Sequence, residues 1–416
     1  MPTQRKTLLL LSQVFLPDPA SVGQHMADVA IEMARRGHPV RVYAANRGYE
    51  NPSVKYAARE NLEGVDVRRL SFSSFGKKRI FTRLVGTAVF MVRTFFIALF
   101  TPNVGGIFFS TSPPLIGFVA SVAAMIRRVP VAYWAMDLNP DQLIMLGKIT
   151  PTSFTARFLE AVNRFILRRA SLVVALDRFM ADRLHPRAPL DGKLLVMPPW
   201  PHENNFEPVD QSTNPFRIRH GLVGKFVIMY SGNHSPSNPL TTLLQAAVEF
   251  KDDPNIRFLF VGGGLGKKEV EAIIQEHKLT NVISLPYQPL ADLHFSLSAG
   301  DVHVVSLGSD MVGIIHPCKI YGAMAVARPI LFFGPRPSHI SDLLDNHPFG
   351  WHIAHGDAAG AVKMIDSLPR LPRERLLEMG QTAQSILRAQ LGQEMLCGRF
   401  CDALETHLQL PRPAVH

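Results

Sequence analysis

The chain is poor in cysteine: it has three in 416 residues, at positions 318, 397 and 401. No disulfide framework can be built from them, and the spacing of Cys397 and Cys401 suits one helix face, not a metal site. Such usage fits a reducing cytoplasm. Charge is also scarce, at 19% of residues against 47% hydrophobic, which excludes a disordered polypeptide. No His/Glu/Cys cluster has metal-ligand spacing, and there is no G-x-S-x-G elbow and no Walker loop. Gly262-Gly263-Gly264 continues to Lys267 where a dinucleotide fingerprint needs a third glycine, and no acidic residue closes the next strand. That excludes a nicotinamide dehydrogenase.

Long uninterrupted apolar runs are missing too. Leu84–Thr101 carries Arg93 at its centre, and Leu115–Ile126 is too short to span. A charge at the bilayer midplane costs roughly 2.5–3.5 kcal/mol on insertion scales. With Lys77, Lys78, Arg79 and Arg83 beside it, the first segment reads as a helix at a bilayer interface, or as a buried helix with its basic end towards headgroups. The N-terminus has a basic start and a short apolar run. Pro17-Asp18-Pro19 follows without a small-residue cleavage pattern, so Thr7–Ser12 reads as a first buried strand and not as a leader.

What is present is alternation. The length suggests two domains. Apolar strands are expected at Thr7–Ser12, Val40–Ala44, Val65–Arg68, Ile107–Ser110, Val131–Ala135, Leu172–Leu176 and Leu194–Met197, with helical patterns such as Val22–Arg36 and Phe154–Arg169 between them. The Pro- and Asn-rich run Pro198–Pro215 reads as a linker. A second alternation comes after it, with strands at Phe226–Ser231, Ile256–Val261, Val282–Leu285, Val302–Leu307, Pro329–Phe333 and Trp351–Ala354. Helices are expected at Pro239–Phe250, Lys267–His277, Arg373–Leu391 and Gln393–Leu408. The pattern predicts an α/β chain of two doubly wound, Rossmann-like parallel sheets, 1–200 and 201–392, with ligands in a cleft at the carboxyl ends of the strands.

The net charge of +10 is uneven: residues 1–200 carry +13 and the remainder −3. The first half therefore faces an anionic partner. No aromatic-interleaved basic strand or nucleic-acid motif accompanies it, so a membrane surface is expected and nucleic acid is not.

The run Asp301–Gly334 holds the most chemistry. A buried strand, a polar loop and a helix opening near Pro317 bring His316 and Lys319 among N–H groups without intrahelical partners, a site for a doubly charged phosphate. Lys319 in bulk water on an ordinarily capped helix is the bland alternative. Gly23, after the first strand, lets backbone approach a ligand at a helix start. Gly232, Asn233 and His234 occupy the equivalent place in the second half, bending round a phosphate while His234 donates to it. Tyr287 and Gln288 offer a ring and backbone groups for a base, beside Gly263. Asp137, closing the strand Val131–Ala135, is the best-placed carboxylate of the first half, with loop capping as its rival role. With no metal cluster or nucleophile elbow, the chemistry rests on stabilising a departing anion.

Taken together, LLLLSQVFLPDPASVGQHMADVAIEMARRGHPVRVYA, STSPPLIG, YWAMDLNPD, VMPPW, MYSGNHS, FLFVGGGLGKK, LPYQP, LSAGDVHVVSL and HPCKIYGAMAVARPIL resemble glycosyltransferase family 4, of GT-B fold, over nearly the whole chain. The similarity is to the WcaI/WbuB-like branch of bacterial exopolysaccharide and O-antigen transferases. That resemblance implies retaining transfer from a nucleotide sugar, UDP- or GDP-linked, without cofactor or metal. The donor would sit on the second domain, and a polyprenyl-diphosphate-linked or other lipid acceptor on the first. Gly23 would approach the diphosphate, Lys319 would bind it, and Tyr287 and Gln288 would flank the base. Tyr321 and Gly322 belong to the same donor motif. The last helix would cross back onto the first domain. Two glutamates that many members carry correspond here to Ile314 and Gly322, Cys318 replaces a serine, and His234 stands in for a missing Arg/Lys pair. An inactive nucleotide-sugar-binding protein and a nucleotide-sugar epimerase of the same fold are the alternatives.

Overall fold

The computed structural model describes residues 6–18, 20–48, 53–71, 80–202 and 206–411, with side chains of 80–84 excepted. Lys77, Lys78 and Arg79, and the side chain of Arg83, lie outside that description. Two compact units emerge: Met1–Trp200 with Gln393–His416, and Pro201–Gly392.

The first unit is built on an eight-stranded sheet. Its strands are β1 Thr7–Leu11, β2 Val40–Ala45, β3 Arg59–Leu62, β4 Val65–Leu70, β5 Val104–Phe109, β6 Val131–Ala135, β7 Leu172–Ala175 and β8 Leu194–Val196. They lie in the order β3-β4-β2-β1-β5-β6-β7-β8, parallel throughout except for β3 against β4. β1, β5, β6 and β7 are buried along almost their whole length, as a sheet covered on both faces requires. The strand β3 escapes sequence reading because RENL is polar, and half of it faces water.

The long helices between these strands are α1 Ser21–Arg35, α2 Ile80–Phe100, α3 Ile116–Arg127 and α4 Phe154–Arg169. Parallel crossovers are right-handed, so the step β1→β2 puts α1 on one face of the sheet, and the opposite steps put α2, α3 and α4 on the other. Adjacent side chains of β5 display the two faces. Phe108 packs on Phe400, 5.4 Å between ring centroids, whereas the ring of Phe109 lies where a side chain on Gly117 would go. No described helix is long and apolar enough to cross a membrane.

The second unit has six strands, β9 Phe226–Ser231, β10 Ile256–Val261, β11 Val282–Leu285, β12 Val302–Ser306, β13 Ile330–Phe333 and β14 Gly350–Ile353. Their order is β11-β10-β9-β12-β13-β14, all parallel. Counted within the unit this is 3-2-1-4-5-6, whose order reverses between β9 and β12, the place where such sheets take ligands. Helices α5 Lys267–His277, α6 Lys319–Ala325 and α7 Arg373–Gln390 belong to this unit.

The last helix, α8 Gln393–His407, rejoins the first unit. Phe400 is fully buried against Trp134, 4.4 Å between ring centroids. At the rim, Arg36 donates to Asp402 at 2.8 Å and Glu405 accepts from His38 at 2.9 Å. Burying one phenylalanine contributes roughly 1.5–3 kcal/mol, so Phe400 outweighs the exposed Arg36–Asp402 pair.

Candidate active site

Two loops meet at the switch point of the second unit, and the glycines show why. Gly232 follows β9 with φ +125°, and a Cβ there would lie 2.9 Å from Cε of Lys319, which arrives from the segment after β12. Gly262, at φ +133°, sits where a Cβ would meet the Gly232 carbonyl at 2.0 Å. Gly264, at φ +125°, abuts Asn233 and His234 in the same way. The glycine run therefore exists so that two backbones can touch. Hydrogen bonds seal the contact: His234 N–H donates to Gly263 O at 2.7 Å and Gly266 N–H to His234 O at 2.8 Å. Lys267 is consumed here as well, donating to Gly262 O at 2.9 Å and Leu285 O at 2.6 Å.

Lys319 brings a second cation to the same loops. Its Nζ stands 5.5 Å from the ring centroid of Tyr230, a favourable place for an ammonium. With its amide set by its neighbours, Asn238 donates to Ser306 O at 2.8 Å and accepts from Lys319 Nζ at 3.1 Å. Among the described residues no carboxylate pairs with Lys319. Burial pushes its pKa down to about 8, so at neutral pH it remains mostly charged and poorly compensated. Such a group favours an anion.

The surroundings narrow the roles of the neighbours. The start of α6 offers fewer free amides than the sequence suggests: Cys318 N–H donates to His316 O at 2.9 Å and Tyr321 N–H to Cys318 O at 3.1 Å. The tight turn entering a seven-residue helix takes them, so the ammonium, and not a row of free amides, is the cationic group the segment presents. His316 is buried, and its Nε2 meets Tyr321 Oη at 2.7 Å; these two residues brace each other beneath Lys319. His234 does not supply the expected donor. Its Nδ1 faces Gly232 O at 3.1 Å, its Nε2 is buried without a partner, and burial together with Lys267 and Lys319 holds its pKa below the usual histidine value. It is a neutral brace of the loop.

Tyr287 is 55% exposed and its ring lies over Gly263, 3.1 Å from where a Cβ would stand. Gln288 folds onto its own turn, donating to Pro286 O at 2.9 Å. Gly322 needs no glycine for space, since a Cβ would meet only Leu297, at 3.5 Å. Ile314 is fully buried, so that position points into the core. Asn238 was not foreseen. Its signal is a second amide five residues after Asn233, in NHSPSN.

In the first unit, Gly23 is buried on its own loop: a Cβ would stand 3.1 Å from the Phe15 amide nitrogen. Asp137 lies at the carboxyl end of β6 in a small cavity of about 60 Å³, with Thr111, Leu115, Tyr133, Asn139 and Asn163 among its walls. No described residue hydrogen-bonds its carboxylate, and burial raises its pKa to about 6. It does not cap the loop that follows. Its neighbour Asp141 is by contrast fully engaged, accepting from Arg187 at 2.6 and 2.7 Å.

Comparison with known proteins agrees with this architecture. Residues 21–200 match the family model for a glycosyl transferase 4-like domain, and residues 213–385 the model for glycosyl transferases group 1. The Pseudomonas aeruginosa protein WbjE, assigned as a glycosyltransferase, is 25% identical over 264 residues, covering 64% of this chain and 65% of its own length. The Escherichia coli K12 protein WcaI, assigned as a colanic acid biosynthesis glycosyl transferase, is 24% identical over 354 residues, 80% of this chain and 84% of its own. Among solved structures, Anabaena HepE in complex with UDP and glucose superposes with a TM-score of 0.69 at 16% identity, covering 96% of this chain and all of that one.

Proposed function

The chain belongs to glycosyltransferase family 4 and has the GT-B fold, and on that basis we propose that it moves a sugar from a UDP- or GDP-linked donor to a lipid-carried glycan in polysaccharide assembly at the cell envelope. The donor is held by the second unit and the acceptor by the first, with retention of anomeric configuration and with Lys319 supplying the counter-charge in place of a metal. The observation that carries this reading is the Lys319 ammonium, largely withdrawn from water, without a carboxylate partner among the described residues, at the switch point of the sheet.

The chemistry follows from charge. As the bond from the anomeric carbon to the diphosphate breaks, negative charge builds on the leaving oxygen, and a positioned ammonium stabilises that state more than the ground state. Tyr287, exposed beside Gly263, stacks on the base. Asp137, half-buried in its cavity with no hydrogen-bond partner among the described residues, orients the acceptor hydroxyl and accepts its proton.

A panel of labelled nucleotide sugars incubated with membrane lipid extract tests this. One donor is expected to give label in the lipid phase, with the donor's anomeric configuration, and Lys319→Ala to abolish it. Tight donor binding without transfer to any acceptor would instead favour a binding protein, and a C2 epimer formed without acceptor would favour an epimerase.

A further inference from the structure

Helix α2 buries the wrong amount of itself for a soluble protein. Gly86, Phe90, Thr94 and Ala98, four residues apart, face inwards. The opposite stripe is apolar as well: Val85, Val92, Phe96 and Phe100 are all exposed, the last by 73%. An exposed apolar residue alone means nothing, but a contiguous set needs an explanation. The set continues. Helix α3, which packs on α2, exposes Phe118, Met125 and Ile126. Helix α4, which packs on α3, exposes Phe158 and, by 85%, Phe154. Phe118 meets Phe165 of α4 at 5.5 Å, joining the two helices' displays. All three helices lie on the sheet face opposite α1, whereas α8 packs on α1, so the chain's own last helix does not cover them.

Charge names the occupant. Between Asp66 and Asp137 there is no acidic residue, while nine lysines and arginines occur. Arg93 and Arg128 are exposed on α2 and at the end of α3, and Arg157, Arg164 and Arg168 on α4. The single carboxylate of α4, Glu160, is taken by Arg164 at 2.8 Å. Aromatic and aliphatic side chains interleaved with arginines, of which only Arg164 meets a carboxylate among the described residues, match the boundary between acyl chains and anionic headgroups. A second copy of the same face would bring arginines against arginines.

We infer that the α2–α3–α4 face seats the first unit on an anionic lipid bilayer, its phenylalanines entering the interface and its arginines meeting lipid phosphates. The inference rests on the proposed lipid acceptor and adds to it the surface that meets the membrane. The helices lie in the plane of the membrane and do not cross it. The cavity of Asp137 is walled by residues of α3 and α4, so a lipid-borne acceptor would reach it along the same helices.

Flotation of the full-length protein with vesicles tests this. Vesicles of mixed phosphatidylglycerol and phosphatidylcholine should carry the protein up the gradient, and pure phosphatidylcholine far less. F96E/F100E should remain at the bottom. R157Q/R168Q should lose about fivefold in affinity per charge removed, on the mixed vesicles only, and keeps the test decisive if the first variant misfolds. Equal binding of wild type and both variants, or none by wild type, overturns the inference. So does a concentration-dependent dimer, seen by sedimentation, that F96E/F100E dissolves. A detergent-dispersed acceptor separates the two readings: transfer that persists in F96E/F100E leaves the proposed function intact whatever the vesicles show, and its absence in wild type counts against the function alone.

Discussion

Replacing Lys319 by methionine separates a ligand-binding cation from a structural one, because the two roles move stability in opposite directions. Burial brings the Lys319 pKa from 10.5 to about 8. At about 1.36 kcal/mol per unit, holding the charge there costs up to roughly 3 kcal/mol in the free protein, and less in proportion to the water that still reaches it. Folded and unfolded proton binding differ only between the two pKa values. The unfolded chain holds the extra proton there, so stability should rise with pH through that window in wild type and lose that slope in Lys319→Met. The variant keeps the stem that packs on Gly232 and Tyr230. It should therefore melt at or above the wild-type temperature at pH 7, by a few degrees at about 2–4 °C per kcal/mol. Binding of UDP or GDP should weaken by about 10- to 150-fold, the worth of a charge-assisted hydrogen bond of roughly 1.5–3 kcal/mol. Calorimetric melting and isothermal titration with the better of the two nucleotides read both quantities. A variant that melts well below wild type and binds nucleotide as before would refute the reasoning.

Other outcomes come from the same geometry. Gly262→Ala forces a Cβ onto the Gly232 carbonyl at positive φ and should lose at least about 1–3 kcal/mol of stability, measured by urea unfolding, whereas Gly322→Ala should stay within about 0.5 kcal/mol. The kcat/KM for the donor, which reports the free enzyme, should follow a bell in pH, rising as Asp137 ionises near 6 and falling as Lys319 discharges near 8; Asp137→Asn should slow transfer and remove the acid limb without loss of stability, since its raised pKa makes the ionised carboxylate unfavourable in the fold. Phe400→Ala, emptying a fully buried site between Trp134 and Phe108, should cost about 3–5 kcal/mol by the same urea titration.

Much of the architecture was legible because buried parallel strands are written as apolar runs. Phe226–Ser231, Ile256–Val261 and Val282–Leu285 fall at the expected boundaries, since each is a hydrophobic segment closed by a turn. Strand β3 was not legible: RENL is polar, and its place at the sheet edge depends on pairing with β4 and not on its own residues. At the site, sequence could mark the loops but not divide their duties. Gly232, Gly262 and Lys319 are far apart in the chain, and their mutual contact comes only from the strand order 3-2-1-4-5-6. His234 reads as a donor until its Nδ1 is found on Gly232 O, and Asn238 stands out only once it is seen to reach Lys319. Amides expected to be free at the start of α6 are tied up in a turn that no residue type announces.

The most direct measurement is the titration of the Lys319 ammonium itself, followed by NMR of the lysine side-chain carbons, with Lys319→Met to assign the signal. In the free protein it should titrate near 8, and saturating nucleoside diphosphate should raise that value, because an anion bound to the ammonium favours its protonated form. A Lys319 that titrates near 10.5 from the start, or whose titration ignores the nucleotide, would contradict the account.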